Sequence, residues 1–453
     1  MIKKTLLSFA FIFSLLNFSY GQSWYPLSSG ITGDYGISTE AVYNGNLYAG
    51  GWFYQAGDVP ANNIAQWNGS SWSAVGSGLT GGENNVDVMC VYNGKLYVGG
   101  AFYAAQGLAA NDIAVWDGSN WDTAGSGLTY CSGGLGWADA MAVYNGKLYV
   151  AGAFCHAGGI KANNIACWDG TKWDSVSSGI NDSVYALAVY NGNLYAGGQF
   201  TRAGRNTVSN IAYWNGSTWN AVASGTNGPV LALAQYNGAL YAGGEFTTAG
   251  GNTAHFIASW NGTAWAAVGG GVSGTTGVEA FCVFNGLLYT GGLFNKAGSL
   301  TTNNIATWNG TVWDTVSTKG INSTVDAIAV LDSALYAGGQ FSTAGKVDVS
   351  DIAAWGGKVL GVDKLTGKVI NLTVYPNPNK GQFTISSKEG SISNSPIRVE
   401  VYNVLGERIY NSTLRQAQGD ITVNVGAQPE GVYLYRLLNE SENIVYQGKI
   451  IIQ

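Results

Sequence analysis

The sequence predicts an all-β protein: a seven-bladed β-propeller followed by a small Ig-like β-sandwich. Three observations predict it. First, a variant of Leu-Tyr-Ala-Gly-Gly-x-Phe occurs seven times, anchored on Tyr48, Tyr97, Tyr149, Tyr195, Tyr241, Tyr289 and Tyr336, at intervals of roughly fifty residues. Second, nearly every copy carries Asn-Gly or Asp-Gly turns between short apolar runs, a strong hairpin signal because both turn positions need positive φ. Third, the period and the tryptophans stop after Gly357, and short alternating strands take over. A repeat of this length built from short strands is one supersecondary unit stacked around a shared core.

In chain order, residues 1–21 read as a signal peptide: Lys3 and Lys4, an apolar run from Leu6 to Phe18, then Ser19 and Gly21 before a cut at Gln22. Residues 22–357 hold the propeller. One unit is clear in residues 184–225: strands Val184–Tyr190, Asn193–Phe200, Ile211–Trp214 and Trp219–Ala223, with a loop over Thr201–Ser209. Four antiparallel strands per unit and seven units give a propeller. The second glycine of the Gly-Gly pair is present in every copy, whereas Ala151 replaces the first; close backbone approach between blades is the expected reason. The seventh unit stops without a fourth strand, and residues 23–30 supply one, with Trp24 matching Trp72, Trp121, Trp173, Trp219, Trp265 and Trp313. Residues 358–371 read as a linker. Seven short strands in residues 372–453 suggest the sandwich.

The repeat Tyr-Asn-Gly-Lys-Leu-Tyr-Val-Gly-Gly, followed by Ile-Ala-x-Trp-Asp-Gly, resembles kelch-type propeller repeats and Rax2-like cell-surface repeats. Val374-Tyr375-Pro376-Asn377-Pro378 with Gly381 and Phe383, then Val401 to Gly406, Pro429 to Tyr433 with Gly431, and the closing Lys449-Ile450-Ile451, resemble the type A C-terminal sorting domain of the type IX secretion system of Bacteroidetes. That resemblance implies type IX machinery as a partner, outer-membrane translocation, removal of the domain, and release or attachment at the cell surface. It also makes Asp122-Thr123-Ala124, Asp174-Ser175-Val176 and Asp314-Thr315-Val316 candidate O-glycosylation sites.

Charged residues are only 11% and the net charge is −6. The net charge, with a pI near 5.0, argues against a nucleic-acid partner, which needs a basic face, and no polybasic run suits an anionic membrane. A soluble monomer is expected. Of five cysteines, Cys90 and Cys282 occupy a slot that is Ala in the other copies and read as small buried side chains. Export permits one disulfide among Cys131, Cys155 and Cys167, and spacing does not choose the pair.

Uniform short turns fall on one face of the ring and variable loops on the other, where recognition is expected. Three groups of candidates lie there. Asp87, Asp139, Glu279 and Asp326 stand at the leading edge of the innermost strand, where Ser38, Tyr185 and Leu231 stand in other blades. Crowded carboxylates raise one another's pKa or bind a cation; Ca²⁺ is the one cofactor this set admits, and loop-end capping is the plainer reading. Trp52, Tyr54, Tyr103, Tyr130 and Trp137 are aromatic faces suited to sugar stacking or to packing between blades. His156, Arg202 and Lys296 share one position after the second strand, where drift between repeats explains them equally well. Two histidines in all leave little for a copper oxidase, and no nucleophile elbow or phosphate loop occurs. The expected function is a secreted or surface-displayed module binding carbohydrate or protein. The alternatives are a glycoside hydrolase or lyase using the channel-mouth acids, and a structural coat protein.

Overall fold

The structure is a computed structural model that describes residues 23–83, 85–356 and 372–452, apart from 388–390, 394–396, 404–407, 415–416, 419, 427, 430 and 439–443. The expected signal peptide, the linker and Gly406 lie outside the described residues. Every helix or strand assigned to the described residues is a strand, and the chain divides into two compact units near residue 359.

The first unit contains seven antiparallel sheets that share one strand order. The innermost strands are Ile31–Tyr43, Asn85–Tyr92, Trp137–Tyr144, Val184–Tyr190, Val230–Tyr236, Val272–Phe284 and Val325–Leu331. Each contacts the innermost strand of the next sheet, and the last contacts the first, so the sheets form a closed ring. The seventh sheet takes Ser23–Pro26 as its outermost strand, paired with Ile352–Gly356 so that Trp24 faces Trp355. The fourth sheet trims two sequence-based boundaries, to Asn193–Gly198 and Trp219–Ala221. Its expected loop contains a small hairpin, Arg202–Ala203 with Asn206–Thr207.

The aromatic residues of the repeat join neighbouring sheets. The tryptophan opening each outermost strand sends its indole N–H to the preceding sheet: Trp121 to Val75 O at 3.1 Å, Trp173 to Ala124 O at 2.8 Å, and Trp24 to Ser317 Oγ at 3.3 Å. Each also packs on the tryptophan of its own third strand, as Trp116 and Trp121 do at 5.2 Å between centroids. Repeat tyrosines accept in turn, Tyr48 from Trp116 and Tyr97 from Trp168. A further tyrosine, ending the innermost strand of sheets one to five, donates to the turn glycine of the next sheet: Tyr43 to Gly94 O and Tyr236 to Gly286 O. Phe284 and Leu331 replace it in sheets six and seven. Each such bond is worth about 1 kcal/mol net, so repetition around the ring matters more than any one.

The glycine pair has a different explanation from the one expected. A Cβ on the second glycine would meet the innermost strand of its own sheet, for example Asn85 O at 2.1 Å from Gly100 and Trp137 O at 2.1 Å from Gly152. The first glycine is the one that faces the next sheet, where Gly50 meets Val86 Cγ1 at 2.4 Å and Gly99 meets the end of Met141 at 2.7 Å. A side chain can yield where a backbone carbonyl cannot, which accounts for Ala151 at the first position.

In the second unit, Leu372–Tyr375, Gln382–Ser387 and Ile421–Asn424 form one sheet, and Arg408–Leu414, Ile397–Tyr402, Gly431–Leu438 and Ile444–Ile452 another. Phe383, Val399, Val401, Val423, Leu437 and Ile450 make up its core. Gly381 has φ +86°, and a Cβ there would strike Gly426 O at 2.2 Å. The motif around Pro376, Asn377 and Pro378 is tied to the closing strand that carries Lys449: Asn377 Oδ1 accepts from Ile451 N–H at 2.8 Å, and Asn379 N–H donates to Ile451 O. Tyr433 is buried and donates to Pro429 O at 2.8 Å.

Candidate functional site

All seven innermost strands break register at one equivalent place. The residues skipped are Ser38, Asp87, Asp139, Tyr185, Leu231, Glu279 and Asp326. The leading-edge residues are therefore β-bulge residues, and a bulge re-aims the side chain it carries. Six of them line a channel cavity of about 240 Å³ at the centre of the ring, with Val88 rather than Asp87 at the second sheet.

The carboxyl groups gather in two neighbouring pairs. Burial pushes Asp87 well above the usual carboxylate range, helped by the charges of Asp139 and Glu83, and burial pushes Asp139 up to about 7. Asp326 is raised by burial first, then by its hydrogen bond with Glu279 and the charges of Glu279 and Asp351. Asp87 also accepts from the Asn85 side-chain amide, and Glu279 from Thr276 Oγ1 at 2.6 Å. Among the described residues no group of three or more His, Cys, Asp or Glu is placed to hold a metal ion. Ca²⁺ takes six to eight oxygens, so each pair alone falls short.

Glu40 escaped the sequence reading. It lies two residues past the bulge, where the other sheets have Met89, Met141, Leu187, Leu233, Phe281 and Ile328. Its carboxyl group is buried between the first and seventh sheets, and neither oxygen closes a hydrogen bond of normal geometry. Burial pushes it up to about 8, an interaction with the Ala329 backbone offsetting a little. Comparing repeat positions one by one finds it, because six apolar residues set against one acid is the anomaly. Asp112 is a second buried acid, at a position where most other sheets carry Asn: fully buried, it accepts from Gly136 N–H at 2.7 Å and is pushed up to about 8 by burial.

On the variable face, Tyr54, Tyr103, Tyr130 and Trp137 are exposed, and Trp52 is half-buried against Tyr35, 4.8 Å away between ring centroids. Tyr35 is itself 54% exposed and was also missed. Tyr54, Tyr103 and Cys155 occupy one repeat position in sheets one to three, where sheets four to seven carry Thr201, Thr247, Asn295 and Ser342. Cys155 is bonded to Cys131, while Cys167 is free and buried. Cys90 and Cys282 are half-buried rather than buried. His156, Arg202 and Lys296 stand on three different sheets and do not converge. Arg202 does, however, share a cleft of about 480 Å³ with Tyr130 and the disulfide.

No match to a curated protein was found. Among solved structures, the chain is similar to PorZ, an essential surface component of the type-IX secretion system of Porphyromonas gingivalis. The identity is 15%, the coverage 95% of this chain and 61% of that one, and the TM-score 0.47. It is also similar to the extracellular domain of BT4673 of B. thetaiotaomicron, described as a hybrid two-component system, at 12% identity, 95% and 58% coverage and TM-score 0.48. The chain thus spans about three fifths of these structures, and similarity of this degree carries no functional inference. Residues 373–453 match the family described as "Secretion system C-terminal sorting domain", and the chain is accordingly one exported to the cell surface or secreted.

Proposed function

We propose that residues 23–356 are a seven-bladed propeller serving as an extracellular, monomeric binding module for carbohydrate or protein. An Ig-like sorting domain carries it out through the type IX machinery. The observation that supports recognition is the set of exposed aromatic side chains Tyr54, Tyr103, Tyr130 and Trp137 on sheets one to three, of which Tyr54 and Tyr103 stand where sheets four to seven present Thr201, Thr247, Asn295 and Ser342. Flat rings with few charges around them suit stacking on sugars, and exposed tyrosine and tryptophan give contact area at low entropic cost. The channel acids support catalysis less well. Glu279 and Asp326 are in hydrogen-bond contact, closer than the ~5–5.5 Å that retaining glycosidases keep between their carboxyl groups. A polysaccharide and glycan array probed with the full mature chain, with and without Ca²⁺, tests the proposal. Saturable binding weakened by Tyr103→Ala or Trp137→Ala is expected. Binding to no glycan refutes the carbohydrate reading, and turnover lost in Asp87→Asn, Asp139→Asn or Asp326→Asn favours the enzyme.

A further inference from the structure

We infer that the cleft between the third and fourth sheets binds an acidic sugar, one uronate ring of an extracellular glycan. This rests on the carbohydrate-binding reading above. The cleft, about 480 Å³, falls within the ~300–1,000 Å³ typical of small-ligand sites. Two elements unique to this part of the ring build it.

One wall is the longest of the loops that enter an innermost strand. Tyr130 is 46% exposed, and its backbone is fixed by a turn in which Tyr130 N–H donates to Gly134 O and Gly133 N–H donates to Tyr130 O. The adjacent Cys131–Cys155 bond pins that turn to the loop after the second strand, and Cys155 N–H donates to Thr129 O at 2.9 Å. The backbone that carries the Tyr130 ring is thus held in place, and holding it lowers the entropy lost on binding.

The other wall carries the charge. Arg202 makes no ion pair among the described residues, although its backbone is held on both sides. Its N–H donates to Asn181 Oδ1 at 2.7 Å, and its carbonyl accepts from Asn181 N–H at 3.1 Å. The guanidinium is free while its base is fixed. Asp182 takes its neighbour Ser183 N–H on Oδ1 at 2.8 Å, leaving Oδ2 for a ligand hydroxyl. No other sheet combines these groups: Arg202 corresponds to Gln55, Ala104, His156, Thr248, Lys296 and Thr343, and Asp182 to Gly228 and Ser323 where the compact loop recurs.

A uronate ring matches this set. Its C–H face stacks on tyrosine, and its carboxylate is the planar partner that a guanidinium grips with two parallel hydrogen bonds. Its hydroxyls donate to Asp182. A neutral hexose satisfies the ring and the carboxylate but leaves Arg202 without an anion.

The test is calorimetric titration of the full mature chain with trimers of galacturonate, glucuronate and mannuronate, and with their methyl esters, which keep the ring and remove the charge. At least one acid trimer should bind tenfold or more tighter than its ester. Arg202→Gln should abolish that preference, and Tyr130→Ala should weaken acid and ester alike, each with unaltered tryptophan fluorescence. Equal binding of acid and ester, or a preference surviving in Arg202→Gln, overturns the assignment, as does a chain that binds neutral glycans and no uronate. A chain that binds no glycan of any kind overturns the carbohydrate reading itself.

Discussion

Replacing Glu40 should make the ring more stable at pH 8 than at pH 5 relative to the native protein. The unfolded chain titrates Glu40 near the ordinary 4.5, and the folded protein near 8. Between those values the folded state holds a proton that the unfolded state has lost. Stability therefore falls as pH rises across this window, and the full cost is present above it. A rise from 4.5 to about 8, at ~1.36 kcal/mol per unit, sets that cost at about 5 kcal/mol as an order of magnitude. Cys282 and Tyr336 are each pushed up to about 12, by burial first and by the Glu40 charge in smaller part, and stay neutral throughout. Glu40→Met installs the residue used in sheets two and three and should cancel the cost; Glu40→Gln removes the charge and leaves an unpaired amide. Urea unfolding followed by tryptophan fluorescence is the assay, because all 16 tryptophans precede residue 357 and report the ring alone. A gain in Glu40→Met that grows by several kcal/mol from pH 5 to pH 8 is expected. A gain that is flat across that range refutes the buried-acid argument.

Other outcomes follow from the packing. Gly100→Ala should cost more stability than Gly99→Ala, since the first drives a methyl onto the Asn85 backbone carbonyl and the second onto side-chain atoms of Met141, Ala138 and Val88; chemical denaturation separates them. Trp24→Ala removes a side chain that is 4% exposed and should cost about 3–5 kcal/mol of ring stability, read by the urea midpoint. In the second unit, buried Glu400 accepts from Tyr402, Arg436 and Arg408 at 2.7, 2.7 and 2.9 Å. Burial pushes its carboxyl up, but those bonds outweigh it and hold the group below the usual range. Its contribution is therefore present above the ordinary glutamate pKa and lost as acid protonates it. Glu400→Ala, which removes the buried carboxylate shared by the partly exposed guanidiniums of Arg398, Arg408 and Arg436, should cost about 1.5–3 kcal/mol, seen as faster hydrogen exchange over Ile397–Tyr402.

Much of the first unit is legible because each repeat restates its own rules. Asn-Gly turns mark hairpins, and the seven tryptophans mark one position each, so Trp24 could be placed without a neighbour in sequence. The leading-edge residues could also be aligned, although a bulge cannot be read from a repeat in which every copy has one. The glycine pair misled because composition shows that space is short, not which strand takes it. Glu40 is hidden because it sits at a regular strand position whose six counterparts are apolar, most of them lining the channel, and Tyr35 because it lies in a variable segment where the repeats do not align. The cleft shared by Tyr130 and Arg202 joins residues in different repeats, and only three-dimensional adjacency unites them.

The strand that completes the seventh sheet also sets an order in time. Ile31 N–H bonds Ser350 O across 319 residues, whereas neighbouring sheets elsewhere are joined across about 49, as Trp173 and Ala124 are. Closing the longer loop costs about 1.7 kcal/mol more on the (3/2)RT ln n scale. The same seam lacks the tyrosine-to-glycine bond, Leu331 standing in its place, and it buries Glu40. The joint between sheets seven and one is thus the last to form and the first to part. The ring has a built-in clasp, and amides along Ala327–Leu331 should exchange before their counterparts in the other six sheets.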